Sequence, residues 1–362
     1  MLKAKLYFIG LFRTLSIFFI YCSLGTSCPA GEVNRPAVAP RYEIVDLGPL
    51  MAREIDEKPG FNQAGDVAAW QVEDKNKIQA VLLKAGHVTD LADLPVDTNT
   101  FAFGLNDVGA VVGAAESRID LRHSQAFLWH DNSIQYLPTL GGSFAVARAI
   151  NREGLIIGNS LTTKKQMHAT LWEQGQARDL GTFSKADFSR AFDINERGEI
   201  AGEANIVANG KPHGVVWSQG RGRDLGLLPG GSFSSALALN GRHQAVGFAD
   251  SEDGGSRAVL WSANHIIDLG SFGDDPGSAL DINDAGQIVG TSAVSEGKMR
   301  AFLWEKGKLL DLNRLIAPKS GWTLRVAYRI NEMGEILAHG YYEGSTHLCL
   351  LIPRDHSSGQ AR

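Results

Sequence analysis

Cysteine is almost missing from this sequence, with 3 in 362 residues, which excludes a fold stapled by disulfides. Long apolar runs are missing too. The apolar core at residues 15–24 falls short of the roughly 20 residues that a membrane-spanning helix needs. No basic tract or basic-aromatic stripe occurs, and the formal net charge is −5, a balance that argues against a nucleic-acid partner. His-Glu-x-x-His, Cys-x-x-Cys, Gly-x-Ser-x-Gly and the phosphate-binding loop are all absent. No metal, cofactor or catalytic constellation is therefore expected from motifs. Glycine is abundant instead, at 41 residues, and most of it falls at regular intervals.

The first 27 residues stand apart. Lys3, Lys5 and Arg13 precede or flank the apolar core, and Gly25, Thr26 and Ser27 follow it. A charged start, a short apolar centre and small residues describe a secretory signal peptide. Its removal takes the formal charge from −5 to −8, because three cations and no acid leave. An uncleaved anchor is the alternative if residues 6–12 join the core. Leu24-Gly-Thr-Ser-Cys28 resembles a lipobox with its Leu one place too far upstream. Cys28 is thus a candidate lipidation site, in competition with plain cleavage nearby. Residues 28–41 are Pro-rich and read as a linker, and residues 354–362 as a polar tail. The expected protein is exported to the periplasm, cell surface or medium, monomeric, and in contact with a membrane only through such a lipid. Cys349, in an apolar strand, reads as a free buried thiol.

Residues 189–226 carry the pattern that organises the rest. They read as strands at 190–194, 199–204 and 214–217, then a short Gly turn and a last strand ending in Asp224-Leu225-Gly226. Three landmarks of this unit each recur seven times. The Asn that opens the first turn is Asn62, Asn106, Asn151, Asn195, Asn240, Asn283 and Asn331, and a Gly lies three residues on in all but the fifth, where His243 stands. The third strand ends at Trp129, Trp172, Trp217, Trp261 and Trp304, with Leu83 and Leu350 in the outer copies. The Asp-Leu-Gly end falls at Asp46, Asp90, Tyr136, Asp179, Asp224, Asp268 and Asp311.

Asn first and Gly fourth suit a type I turn followed by a residue at positive φ, a common hairpin connection. Segments such as Asp193-Ile-Asn195 lack the dense acidic spacing of a calcium loop, so they read as hairpins. Units of ~44 residues with four short strands describe propeller blades. The chain opens on a fourth strand (42–48) and closes on strands one to three, so those fragments complete one blade. The expectation is an all-β, seven-bladed β-propeller over residues 42–353, four antiparallel strands per blade, with its ring closed by strand 42–48. The first full blade is the least regular, with Lys58-Pro59-Gly60 where the others carry a strand. In blades two to six an Ala lies four before the Asn, a small residue suited to a crowded axis. The strand-three Trp residues read as core.

Ala-Phe-Leu-Trp (126–129, 301–304), Asp-Leu-Gly (179–181, 268–270), Leu-Gly-Gly-Ser (140–143) and Ile-Asn-x-x-Gly (150–154, 194–198, 282–286) recur through the chain. In these motifs the sequence resembles the HAF repeat family of extracellular repeat proteins of bacteria. The resemblance covers nearly all of residues 42–353 and departs at the ends, where Leu83, Leu350 and Tyr136 break the motifs. It implies an exported repeat protein and carries no catalytic residue with it.

Blades that share motifs must differ elsewhere to hold an asymmetric site. They differ most in the loop between the second and third strands, on the face that also carries the blade-crossing loops. The residue entering the third strand is Gln79, Gln125, His168, His213, Arg257, Arg300 and Thr346 in turn. His168, His213, Arg257 and Arg300 are candidate binding residues on neighbouring blades, suited to the carboxylates or sulfates of an anionic ligand; solvated strand ends are the plain alternative. Three function classes follow. The favoured one is a non-catalytic scaffold that binds a protein or an anionic polysaccharide on the loop-rich face. The second is an enzyme acting on glycans with acids from different blades, for which Glu252-Asp253 and Asp274-Asp275 are the acidic clusters. The third is a structural or adhesion component of the extracellular matrix.

Overall fold

The structure, a computed structural model, describes residues 40–50, 57–73, 77–91, 98–120, 122–184, 186–273 and 276–354. The segment expected to be a signal peptide, Cys28, most of the expected linker and tail, and Asp274-Asp275 lie outside the described residues. Among the described residues every regular element is a β-strand except two short 3-10 turns, Ser295–Gly297 and Leu312–Arg314.

The unit at 189–226 shows why the repeat folds as it does. Strands Ser189–Ile194, Ile200–Asn205, Pro212–Ser218 and Arg221–Asp224 pair antiparallel in that order. Asn195 builds the first turn: its Oδ1 accepts the N–H groups of Arg197 and Glu199, both at 3.0 Å. Gly198 takes φ +73° there, a conformation that costs glycine nothing. The last two strands meet at Gln219 (φ +51°) and Gly220 (φ +76°), a two-residue turn of the hairpin-matching hand.

The inner strand carries a bulge. Ala191 faces Gly202 and Asp193 faces Ala201, which leaves Phe192 unpaired. The same shift recurs at Phe103, Arg148, Leu237, Leu280 and Tyr328. A bulge re-aims one side chain, and Phe192, Leu237, Leu280 and Tyr328 accordingly meet in one apolar cluster. The bulged backbone also crowds the next strand. A Cβ on Gly202 would lie 2.0 Å from the Arg190 carbonyl oxygen, so this position accepts no other residue without moving the strand.

Hydrogen bonding corrects the expectation of seven separate four-stranded blades in a closed ring. Five separate four-stranded sheets form, and the remaining eight strands make a single sheet. The fusion joins residues 98–136 to residues 141–179 through a parallel bridge between Phe144 and Ser124. At other boundaries a hydroxyl of the inner strand accepts an N–H of the preceding unit's third strand, as when Ser189 Oγ accepts from Ala169 and Ser234 Oγ from Gly214. Ala145 holds that position here and has no hydroxyl. At the Gly277 boundary, Pro276 stands in the place of Phe144 and has no N–H to bridge with.

The series of Asn-to-Asn links does not close either. Each Asn amide donates to the carbonyl of the next turn's Asn, from Asn62 to Asn106 (3.3 Å) through Asn283 to Asn331 (3.1 Å). Among the described residues no such bond runs from Asn331 back to Asn62. Tyr42–Asp46 is the outer strand of the last sheet, paired with Ser345–Pro353, and Tyr42 is buried in its core. The strand-three residues Trp172 and Trp217 are likewise fully buried between sheets.

Candidate functional site

On the loop-bearing end, the residues expected to bind are tied to carboxylates of their own sheets. His168 Nδ1 lies 2.8 Å from Asp179, and His213 Nδ1 lies 3.0 Å from Asp224. Arg257 pairs with Asp253 at 2.9 Å. Arg300 has no ion pair among the described residues. No contact joins any two of these four, so the expected continuous patch is not assembled by direct contact. Register also moves one position: Cys349 faces Asp46 as Thr170 faces Asp179. His347 rather than Thr346 therefore occupies the repeat position, and it holds Asp46 at 2.9 Å. The Asp of Asp-Leu-Gly works twice, since its Oδ1 also accepts the Gly N–H two residues on, at 2.7 Å in Asp179 and 2.8 Å in Asp224. Burial pushes the Asp179 carboxyl up, and the bonds from His168 and Gly181 more than offset it, leaving it below the usual range.

The opposite end holds a formed cleft. In a four-stranded antiparallel sheet the Asn turns and the last hairpins share one end. There, a cleft of about 430 Å³ opens between the sheet at 189–224 and the sheet at 234–268, lined by Glu199, Ser218, Arg221, Arg223, His243 and Asn264 among others. His243 stands where six turns carry Gly, yet it takes φ +60°. A non-glycine residue held at positive φ stores about 1 kcal/mol of strain or more. Its Nδ1 lies 2.8 Å from Glu199 Oε1, while Asn195 donates to Glu199 Oε2 at 2.9 Å. Its Nε2 lies 3.3 Å from an Arg197 guanidinium nitrogen. Arg223 donates to Asn264 at 3.4 Å, and the Arg221 side chain has no hydrogen bond or ion pair among the described residues. Two guanidinium groups, those of Arg221 and Arg223, thus line a cleft whose single carboxylate is already shared between two partners. The Asn-turn exception at His243 was the visible signal; the cleft itself joins residues some 20 to 65 positions apart and has no linear trace.

A third cluster of charge lies on the axis. Lys58 is 3% exposed, and its Nζ donates to the carbonyls of Leu237 (2.9 Å) and Leu280 (2.7 Å). Arg329 donates from Nε to the Pro59 carbonyl at 3.2 Å and lies 3.4 Å from Asp193 and 3.9 Å from Asp281. Burial pushes the Asp281 carboxyl up against the pull of Arg329 and Lys58. This cluster accounts for the irregular Lys58-Pro59-Gly60 segment: a lysine reaches the axis and ties the bulged residues Leu237 and Leu280 through their carbonyls. Among the described residues no group of His, Cys, Asp and Glu is placed to hold a metal ion.

The arrangement matches solved structures. A puromycin-hydrolysing peptidase of Mycobacterium tuberculosis superposes with a TM-score of 0.55 at 14% identity, over 89% of this chain and 52% of the peptidase. The β-propeller domain of the Trilobed protease from Pyrococcus furiosus, described as having an open velcro topology, superposes with a TM-score of 0.51 at 12% identity, over 80% of this chain and 93% of that domain. The fold is a β-propeller. This propeller spans about half the length of the peptidase, and identities this low relate the two by fold alone. No family model matches the sequence, and no curated protein matches it.

Proposed function

We propose that this β-propeller is a non-catalytic binding scaffold that works outside the cytoplasm and takes an anionic ligand. The observation that carries the reading is the cleft at Arg221 and Arg223, where two guanidinium groups line about 430 Å³ of space and only Glu199 opposes them. Guanidinium groups suit carboxylates and sulfates because their N–H forks match two oxygens at once. Export is supported by the leader at residues 1–27 and by the resemblance of the repeats to an extracellular family. The rim residues His168, His213 and Arg257 contribute less attraction than isolated cations would, because each already faces a carboxylate. The acid pair Glu252-Asp253 gives an enzyme little support, since Asp253 is engaged by Ser251, Gly255 and Arg257.

Screening a panel of anionic and neutral polymers against the mature protein tests this reading. Binding should weaken strongly as salt rises, since exposed charges are screened over about 8 Å at physiological ionic strength. Replacing Arg221 and Arg223 together by Ala should abolish it with little change in melting temperature. Binding that persists in that double variant refutes the cleft as the site. Fractionation of the native host adds the second arm: full-length protein confined to the cytosol refutes export.

A further inference from the structure

The outer strands of three consecutive units each place one side chain at the same register position. Gln135 faces Leu128, Arg178 faces Leu171 and Arg223 faces Val216. Each reaches over the last hairpin of the following unit. Gln135 Nε2 lies 3.6 Å from where a Cβ on Gly175 would stand, and an Arg178 guanidinium nitrogen lies 3.8 Å from the same point on Gly220. Arg223 bonds the matching hairpin residue, Asn264, at 3.4 Å. A Cβ on Gly222 would meet the Phe183 ring at 2.6 Å, so that face of the strand looks back toward the sheet of Arg178. Alternation then turns Arg221 and Arg223 forward into the cleft. Arg178 is exposed, and its side chain, like that of Arg221, makes no hydrogen bond or ion pair among the described residues. The adjoining acids, Asp179 and Asp224, alternate to the other face and are held by His168 and His213. Guanidinium groups thus follow one another across neighbouring units. The series is bounded: neutral Gln135 precedes it, and Ile267, 42% exposed, holds the next position after it.

We propose that Arg178, Arg221 and Arg223 form a track for a linear anionic polysaccharide, of which the cleft is the deeper end. This inference rests on the binding-scaffold reading and extends it from one bound group to a chain of repeated charges. A small anion seated in the cleft leaves Arg178 idle. A polymer with anions on successive sugars meets cations on successive units. Weak exposed contacts reinforce one another when they lie on a single ligand chain, because each bound group raises the effective concentration of the next. Carboxylated and sulfated glycans share this chemistry, since a guanidinium fork donates to two oxygens of either. A folded acidic protein fits less well. Protein interfaces need an apolar centre anchored by large side chains, and none of the exposed large apolar residues falls within 173–179 or 218–225.

Calorimetric titration with short and long oligogalacturonates, short and long heparin fragments and a polyglutamate of matching length tests the proposal. Affinity for a glycan should rise with chain length until the track is filled; binding by either glycan series supports the track, and the stronger series identifies the anion. Arg178→Ala should weaken the long oligomers by about threefold to fivefold, the scale of one exposed charge pair, and spare the short ones and the melting temperature. It should also flatten the salt dependence of long-oligomer binding. Ile267→Arg, which places a cation at the next position, should strengthen the long oligomers alone. Long-oligomer binding that Arg178→Ala spares, while the Arg221 and Arg223 double variant abolishes it, overturns the track and leaves the cleft reading standing. Polyglutamate bound as tightly as the glycans, with the same dependence on Arg178, overturns the polysaccharide assignment. No binding of any charged polymer overturns both readings.

Discussion

The ammonium of Lys58 donates to the backbone carbonyl of Leu280 at 2.7 Å, across 222 residues of sequence. A second bond reaches Leu237, so one side chain from the first unit ties two later inner strands at the axis. Lys58→Met leaves Asp193 and Asp281 with Arg329 as their remaining cation. Removing one partner of a buried charge cluster costs about 3–5 kcal/mol, and urea unfolding should show a loss of that size. In an Asp281→Asn background the same change should cost less, because the two sites are coupled. Additive losses would place Lys58 outside the cluster.

The Asn turns make a second prediction. Asn195 accepts two backbone N–H groups, holds Glu199 at 2.9 Å and donates to Asn240 at 3.0 Å in the next sheet. Asn195→Ala removes a turn and a sheet-to-sheet link together, at a cost of about 2–3 kcal/mol, since buried groups lose their partners. Asn331→Ala should cost less, because its amide donates only to Glu335 and carries no link onward among the described residues. Thermal melts of the two variants give the comparison, and equal losses would mean the links contribute nothing.

Acid should weaken the fold through His339. Burial, with a smaller push from Arg325, lowers this imidazole from the ordinary 6.5 to about 4. The folded protein keeps His339 neutral while the unfolded chain protonates below pH 6.5, so the unfolded state binds more protons across that window. Stability is therefore lost as pH falls from about 6.5 to about 4, with about 3 kcal/mol from this group by linkage. His339→Gln should flatten that part of the stability profile. A parent and variant with parallel profiles would show that another group sets the slope.

Two buried groups of the last sheet answer to simple substitutions. Cys349 is fully buried, and burial pushes its thiol well above the ordinary value, so the native protein should resist thiol reagents. Labelling should track unfolding in denaturant; fast labelling of the folded protein would contradict this burial. Tyr42 is 1% exposed and its hydroxyl has no hydrogen-bond partner among the described residues. Tyr42→Phe should be neutral or stabilising, because it removes an unpaired polar group without changing shape. Tyr42→Ala should cost about 3–5 kcal/mol through the cavity it leaves. A Tyr42→Phe protein that melts several degrees lower would reveal a partner for the hydroxyl.

Much of this molecule was legible in one dimension because its determinants are local. The Asn-to-Gly turns, the two-residue hairpins and the alternation of the strands depend on residues within ten positions of one another, so counting Asn62 through Asn331 was enough to recognise a propeller built of repeated strands. Three things depended on atoms that only folding brings together, within one unit, between neighbours or across the axis. A bridge between Phe144 and Ser124 joined two sheets that the repeat count treats as separate, because pairing across units depends on where two strands come to lie. Lys58 looked like an interrupted strand and proved to be an axial tie, since its partners are carbonyl oxygens, which every residue has and no sequence pattern marks. His168, His213 and Arg257 looked like open cations, and tertiary pairing with Asp179, Asp224 and Asp253 decided otherwise. Charge is written in the sequence; whether it is already answered depends on distance, and only folding sets that.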